Sequence, residues 1–165
     1  KAMKQIIFEP LGMKNTYVFD YERDKDSAVT SYKGNKVEIG LDYLDAVYGD
    51  KNIYSTPRDL LKFDRARNTP DFLTPEIISM VYTPYSNEHK GRKNYGLGIR
   101  MVNWETGQNF YFHNGWWHGN TSAYVTLQKE QVTMIALSNK FTRQTYNIRK
   151  LSKLFGDYPF ETDDE

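Results

Sequence analysis

The hydrophobic and polar positions divide the chain into two regimes. The first part carries helical signals. Thr56-Pro57-Arg58-Asp59 places a hydroxyl at an N-cap, proline at the first helical position and a carboxylate at the third. The hydroxyl accepts an orphan amide and the carboxylate suits the positive end of the helix dipole. Leu60, Leu61 and Phe63 then form an apolar face through about Arg67. Thr74-Pro75-Glu76 repeats the device ahead of Ile77, Ile78 and Val81, with Asn68-Thr69-Pro70-Asp71 as the loop between the two helices. Earlier signals are weaker. Lys4 to Phe8 reads as the last turns of a helix, stopped by Pro10-Leu11-Gly12, so the chain is expected to be cut from something longer. Asp20 to Asp26 reads as a solvated charged loop. Ser31 to Val37 suggests a hairpin turning at Gly34-Asn35.

After Gly91 the pattern becomes strand-like. Leu97 to Trp104, Asn109 to His113, Ser122 to Gln128 and Val132 to Ser138 are rich in aromatic and β-branched residues. Short turns at Glu105-Thr106-Gly107 and Lys129-Glu130-Gln131 separate two of the pairs. These segments predict an antiparallel meander of about four strands. Arg143 to Phe155 then puts Ile148, Leu151, Leu154 and Phe155 on one helical face, which predicts a helix lying across the sheet. Glu161 to Glu165 is acidic and expected to fray. Helices first, then a sheet, then a covering helix give an α+β fold class.

Composition narrows the function classes. The 165 residues suit one domain, and 39% hydrophobic content is enough for a core. A net charge of +1 with no basic stripe argues against nucleic acid as a partner. The chain has no cysteine, which excludes a disulfide framework, thiolate metal ligands and a thiol nucleophile. No apolar run approaches the roughly 20 residues of a membrane span. Lys1-Ala2-Met3-Lys4-Gln5 does not start a signal peptide.

The densest chemical signal is Phe112-His113-Asn114-Gly115-Trp116-Trp117-His118-Gly119 at a strand end. Glycine there admits a ligand or a second backbone, histidine titrates near neutrality, and large aromatics can wall a pocket. The plainer alternative is a loop whose tryptophans cap the core. His89, His113 and His118 match no zinc spacing, and no carboxylate near them in sequence completes a set, so neither a metal nor another cofactor is expected. No serine sits in a Gly-x-Ser-x-Gly elbow or a Ser-x-x-Lys turn. Ser122 is a cross-strand candidate beside His113, but a hydroxyl needs a base within hydrogen-bond reach, and Ser122 reads better as a structural strand residue.

Several motifs in one order resemble the serine β-lactamase and penicillin-binding-protein superfamily. Pro10-Leu11-Gly12-Met13-Lys14-Asn15-Thr16 resembles its "PLGM-x-x-T" element, and Ser55-Thr56-Pro57-Arg58-Asp59-Leu60 its "ST-x-x-DL" helix start. Tyr95-Gly96-Leu97-Gly98 resembles "YG-x-G", and Ile135-Ala136-Leu137-Ser138-Asn139 the closing strand. His113-Asn114-Gly115 resembles the His-x-Gly form of the third active-site box, which is Lys-Thr-Gly in other members. That family places Ser-x-x-Lys and Tyr-x-Asn upstream of "PLGM". The resemblance therefore implies that residues 1–165 are the C-terminal portion of a single β-lactamase-like domain, without those two motifs. Tyr85-Ser86-Asn87 spells the second motif out of order and reads as a coincidental loop.

The resemblance implies a parent serine hydrolase of β-lactamase, D-alanyl-D-alanine peptidase or esterase type. It would act through an acyl-enzyme on a small-molecule or peptide substrate, outside the cytoplasm. His113 would be the third-box cation and the backbone N–H of Trp116 one oxyanion donor. Asn114 and Gly115 would line the substrate strand, with Trp117 beside them. Asparagine at the middle position and the bulky Trp116-Trp117-His118 turn the expectation from β-lactams towards peptides or esters. This chain alone is expected to be inactive, and any uncovered sheet face to be buried by a second copy in a homodimer. The alternatives are a non-catalytic peptide- or glycan-binding module of the same fold, or an independent small α+β binding domain.

Overall fold

The computed structural model describes the backbone of residues 1–89 and 93–160, and the side chains of the same residues except 87–89. A π-helical turn at Lys4–Phe8 leads into β1 (Tyr17–Val18), α1 (Tyr21–Asp24), β2 (Ser31–Tyr32) and β3 (Glu38–Ile39). A 3₁₀ turn at Tyr43–Ala46 precedes β4 (Ile53–Tyr54), α2 (Pro57–Arg67) and α3 (Pro75–Val81). Then come β5 (Ser86–His89), β6 (Lys93–Tyr95), β7 (Arg100–Asn103), β8 (Asn109–Trp117), β9 (Asn120–Leu127) and β10 (Val132–Ser138). A 3₁₀ helix at Arg143–Leu154 closes the chain. The acidic stretch from Glu161 lies outside the described residues.

The fold is α+β. Strands β5 to β10 form one antiparallel meander of six strands in sequence order. The four strands expected from the sequence are its β7 to β10. The added pair, β5 and β6, takes up Ser86 and Asn87 of Tyr85-Ser86-Asn87, read from sequence as a loop: they pair with Tyr95 and Asn94. Two small ribbons, β1–β4 and β2–β3, flank the sheet. The expected hairpin is β2–β3, with the Lys33 amide donating to the Val37 carbonyl.

Alternation along β8 and β9 sorts the two faces of the sheet. One face carries Phe110, Val125 and Leu127, which pack with Val102, Met134 and Tyr158. The C-terminal 3₁₀ helix covers this face, but not with the row expected. Thr145 and Ser152 are buried and Ile148 partly so, whereas Leu151, Leu154 and Phe155 are exposed. A 3₁₀ helix turns 120° per residue instead of 100°, so from Thr145 to Leu154 its face drifts by about 180° from an α-helical wheel. The buried contact is polar instead, with the Thr145 and Thr121 hydroxyls 2.9 Å apart. Leu151, Leu154 and Phe155 thus form an exposed apolar row on this helix.

The opposite face carries Tyr111, His113, Gly115, Tyr124 and Thr126, and α2 lies against it near β10. Leu60, Leu61 and Phe63 are only half-buried. The fully buried side chains of α2 are charged: Asp59, Asp64 and Arg67. Arg67 reaches Asp64 Oδ1 through two nitrogens at 3.1 and 2.9 Å and donates to Thr126 Oγ1 at 2.6 Å. Asp64 also accepts the Tyr124 hydroxyl and, at 2.7 Å, the Thr133 hydroxyl. Burial, followed by this carboxylate, pushes the Tyr124 phenol far above its ordinary range, so it stays a donor.

Asp59 explains two of the sequence motifs at once. Its Oδ2 accepts the Asn15 amide at 2.7 Å and the Thr16 hydroxyl at 3.0 Å, and Lys62 meets Oδ1 at 2.8 Å. Thr16 also touches the Ser55 hydroxyl at 2.8 Å. "PLGM-x-x-T" and "ST-x-x-DL" are thus two halves of one lock, which fastens the first turn of α2 to the start of the chain.

Candidate active site

The His-x-Gly segment sits where β8 outruns its neighbour. Its pairing with β7 ends at Phe112↔Arg100, while its pairing with β9 continues from His113↔Tyr124 to Trp117↔Asn120. Residues 113–117 therefore have a strand partner on one side only among the described residues. The free side is the geometry in which an extended substrate can add as a strand. The gap arises because the chain turns away before β7, through Gly96 and Gly98. A Cβ on Gly96 would stand 2.1 Å from the Val81 carbonyl, so this turn packs directly against the end of α3. Gly98 has φ +71°, which favours glycine.

Each predicted site residue has a definite place. His113 and Asn114 are exposed at the projecting edge. His113 Nε2 lies 2.7 Å from the Tyr95 hydroxyl, and its Nδ1 lies 2.9 Å from the Asn114 carbonyl. Gly115 is half-buried; a Cβ there would meet the Ser122 hydroxyl oxygen at 2.3 Å. Its carbonyl accepts the Tyr146 hydroxyl at 3.1 Å. Trp116 points outward, 66% exposed, and donates its indole N–H to the His118 carbonyl at 2.8 Å. Trp117 points to the other face and donates to Asp45 Oδ1 at 2.7 Å, with the Lys51 ammonium 4.3 Å from its ring centre. The two tryptophans diverge and do not form one wall. Ser122 is diagonal to His113 on the same face, but both His113 nitrogens face other partners.

His113 and His118 do not converge. The His89 side chain lies outside the described residues. His118 sits instead with Asp42 and Asp45, its Nε2 at 3.5 and 3.2 Å from their Oδ2 atoms. Among the described residues these three are the group whose ligand atoms lie close enough to hold a metal ion, all within 4.8 Å. Each carboxylate is already engaged: Asp45 by the Trp117 indole and the Asp42 amide, Asp42 by the Leu44 amide. The arrangement clasps the Trp117 end of β8 to the Tyr43–Ala46 turn. Beside it opens a cleft of 290 Å³ lined in part by Ser31, Asp45, Tyr54, His118 and Asn120.

A family model described as Beta-lactamase matches residues 1–154. The chain belongs to that family. It is similar to Penicillin-binding protein 4* of Bacillus subtilis (strain 168), 26% identical over 153 residues. That match covers 84% of this chain and 34% of the relative. The octameric penicillin-binding protein homologue from Pyrococcus abyssi superposes with TM-score 0.73 at 22% identity, over 92% of this chain and 36% of that one. A β-lactamase/D-alanine carboxypeptidase from Pseudomonas syringae superposes with TM-score 0.68 at 17% identity, over 96% and 53%. The chain thus spans about a third to a half of these relatives. The two superpositions establish the fold that the β-lactamase family shares.

Sequence reasoning missed Tyr95, Asp45 and Lys51. Tyr95 was visible within "YG-x-G", but its pairing with His113 arises only when β6 and β8 flank β7. Asp45 lies 72 positions from Trp117, and no local pattern joins them.

Proposed function

We propose that this chain is the C-terminal portion of a serine acyl hydrolase domain. In that domain a serine outside residues 1–165 attacks an ester or amide carbonyl, forms an acyl-enzyme, and water releases it. The observation that carries the reading is the projecting edge of β8, with His113, Asn114 and Gly115 ahead of Trp116 and no strand beyond them on the β7 side among the described residues. The substrate backbone lies along that edge. The Trp116 amide supplies one oxyanion donor, worth roughly 3 kcal/mol of barrier once a tetrahedral intermediate forms. Gly115 keeps the strand flat where the acyl group passes. Exposed Trp116 and the asparagine at position 114 favour peptides or esters over β-lactams. The names of the relatives, penicillin-binding protein and β-lactamase/D-alanine carboxypeptidase, support acyl transfer as the reaction class.

Self-association of the parent goes with this reading, through the exposed row Leu151, Leu154 and Phe155. The octameric state of the Pyrococcus abyssi homologue supports assembly as a property that this fold can carry.

Turnover of a chromogenic cephalosporin and a p-nitrophenyl ester tests the proposal. The chain joined to its natural upstream sequence hydrolyses at least the ester, His113→Ala lowers the rate, and residues 1–165 alone do neither. A joined protein that binds peptides or glycans but never turns over either compound belongs to the non-catalytic alternative.

A further inference from the structure

We propose that Tyr95 is the group that meets substrate beside the third box, and that His113 sets which way the Tyr95 hydroxyl hydrogen points. This deepens the hydrolase reading and, for its substrate consequence, rests on it. The His113 ring is held at both nitrogens, with Nδ1 2.9 Å from the Asn114 carbonyl and Nε2 2.7 Å from the Tyr95 oxygen. A carbonyl has only lone pairs, so Nδ1 carries a hydrogen in either charge state. Nε2 is then the atom that changes.

In the neutral ring, Nε2 accepts and the Tyr95 O–H donates to it, leaving only oxygen lone pairs on its other side. When Nε2 takes a proton from solvent, it donates to the Tyr95 oxygen. The hydroxyl rotates about its C–O bond, and its hydrogen becomes free to point outward. No proton leaves the tyrosine.

Among the described residues, Arg100 and Tyr124 are the charged or titratable groups paired opposite Tyr95 and His113. Arg100, opposite Tyr95 in the β6–β7 pair, places its guanidinium 5.2 Å from the Tyr95 ring centre. Tyr124, opposite His113 on β9, is turned to Asp64. The imidazole edge is thus screened by Tyr95 from direct contact with a substrate carboxylate. An anionic group meets lone pairs when the ring is neutral and a hydroxyl donor when it is charged. Acyl donors without a carboxylate at this position are accepted in both states, whereas carboxylated ones need the imidazolium.

The test uses the chain itself, labelled with ¹⁵N-histidine. Long-range ¹H–¹⁵N spectra of the neutral ring show His113 as the Nδ1–H tautomer. Tyr95→Phe, with its amide spectrum otherwise preserved, shifts the His113 Nε2 resonance as that nitrogen loses its hydrogen-bond donor, while Nδ1 keeps its hydrogen. Benzoate, added as the carboxylate probe, perturbs the β8 edge roughly tenfold more tightly where the same spectra show the ring charged than where they show it neutral, as one charge-assisted hydrogen bond requires. In His113→Gln that pH dependence disappears. A wild-type Nε2–H tautomer, a spectrum unmoved by Tyr95→Phe, or benzoate affinity independent of pH overturns the proposal. These readouts need no turnover, so a joined protein that fails to hydrolyse esters contradicts the hydrolase reading and leaves the tyrosine–histidine pair to be judged on its spectra.

Discussion

Replacing Arg67 with methionine removes the guanidinium from the seat of α2 and keeps most of its stem. Asp64, only 5% exposed, is left with the Tyr124 and Thr133 hydroxyls as its donors and no opposite charge. Thr126 loses its 2.6 Å donor as well. A buried carboxylate stripped of its partner costs about 3–5 kcal/mol. For a chain of this size that corresponds to a fall in Tm of roughly 6–20 °C. Urea unfolding followed by far-ultraviolet circular dichroism reads the loss as a lower midpoint at constant slope. Adding Asp64→Asn to Arg67→Met removes the stranded charge while keeping an acceptor for Tyr124 and Thr133, and recovers about 1.5–3 kcal/mol. Because Tyr124 is the strand partner of His113, the single variant also shifts the His113 amide resonance. A loss below about 1 kcal/mol, or no recovery in the double variant, refutes a charged clamp between α2 and the sheet.

Other outcomes follow from the same geometry. Burial alone would raise the Asp59 carboxyl, but Lys62, the Asn15 amide and the Thr16 hydroxyl outweigh it and hold it below the usual carboxylate range. Its contribution to stability is therefore present above the unfolded value near 3.8 and is lost as pH falls through the lower folded value. Asp59→Asn flattens the acid limb of a stability-versus-pH curve, and an unchanged limb contradicts the lock. Trp117→Phe keeps a ring but loses the bond to Asp45 and most of the attraction to Lys51, lowering stability by about 1–2 kcal/mol in thermal unfolding. Gly96→Ala drives a methyl into the Val81 carbonyl and costs more than 2 kcal/mol by the same assay, or about that in overpacking alone. Leu154→Glu reduces self-association of the joined protein in sedimentation velocity, whereas unchanged assembly moves the interface elsewhere.

The sheet was legible because β7 to β10 are rich in aromatic and β-branched residues between short turns, and Val132–Ser138 was bounded to the residue. The α2 start was equally plain, since Thr56 does accept the Asp59 amide at 3.2 Å. What stayed hidden depended on charge burial or on contacts between distant segments. A helix wheel ranks Leu60, Leu61 and Phe63 as the inner face; the sheet instead offers Thr126, Tyr124 and Thr133, which suit Asp64 and Arg67. The C-terminal helix misled because a tighter winding rotates its apolar row outward. The candidate site residues His113, Asn114, Gly115, Trp116 and Trp117 all lie in one dense stretch of sequence. Their partners Tyr95, Asp45 and Lys51 come from other parts of the chain and are brought together only by the completed fold.

The central claim is that the hydroxyl opposite the β8 edge belongs to polypeptide other than residues 1–165. Peptide mapping by mass spectrometry, after the joined protein is trapped with a penicillin or an activated aryl ester, measures this directly. The account predicts one acyl adduct on a serine preceding Lys1, absent when that serine is alanine. An adduct on Ser122, diagonal to His113 on the same sheet face, would contradict it.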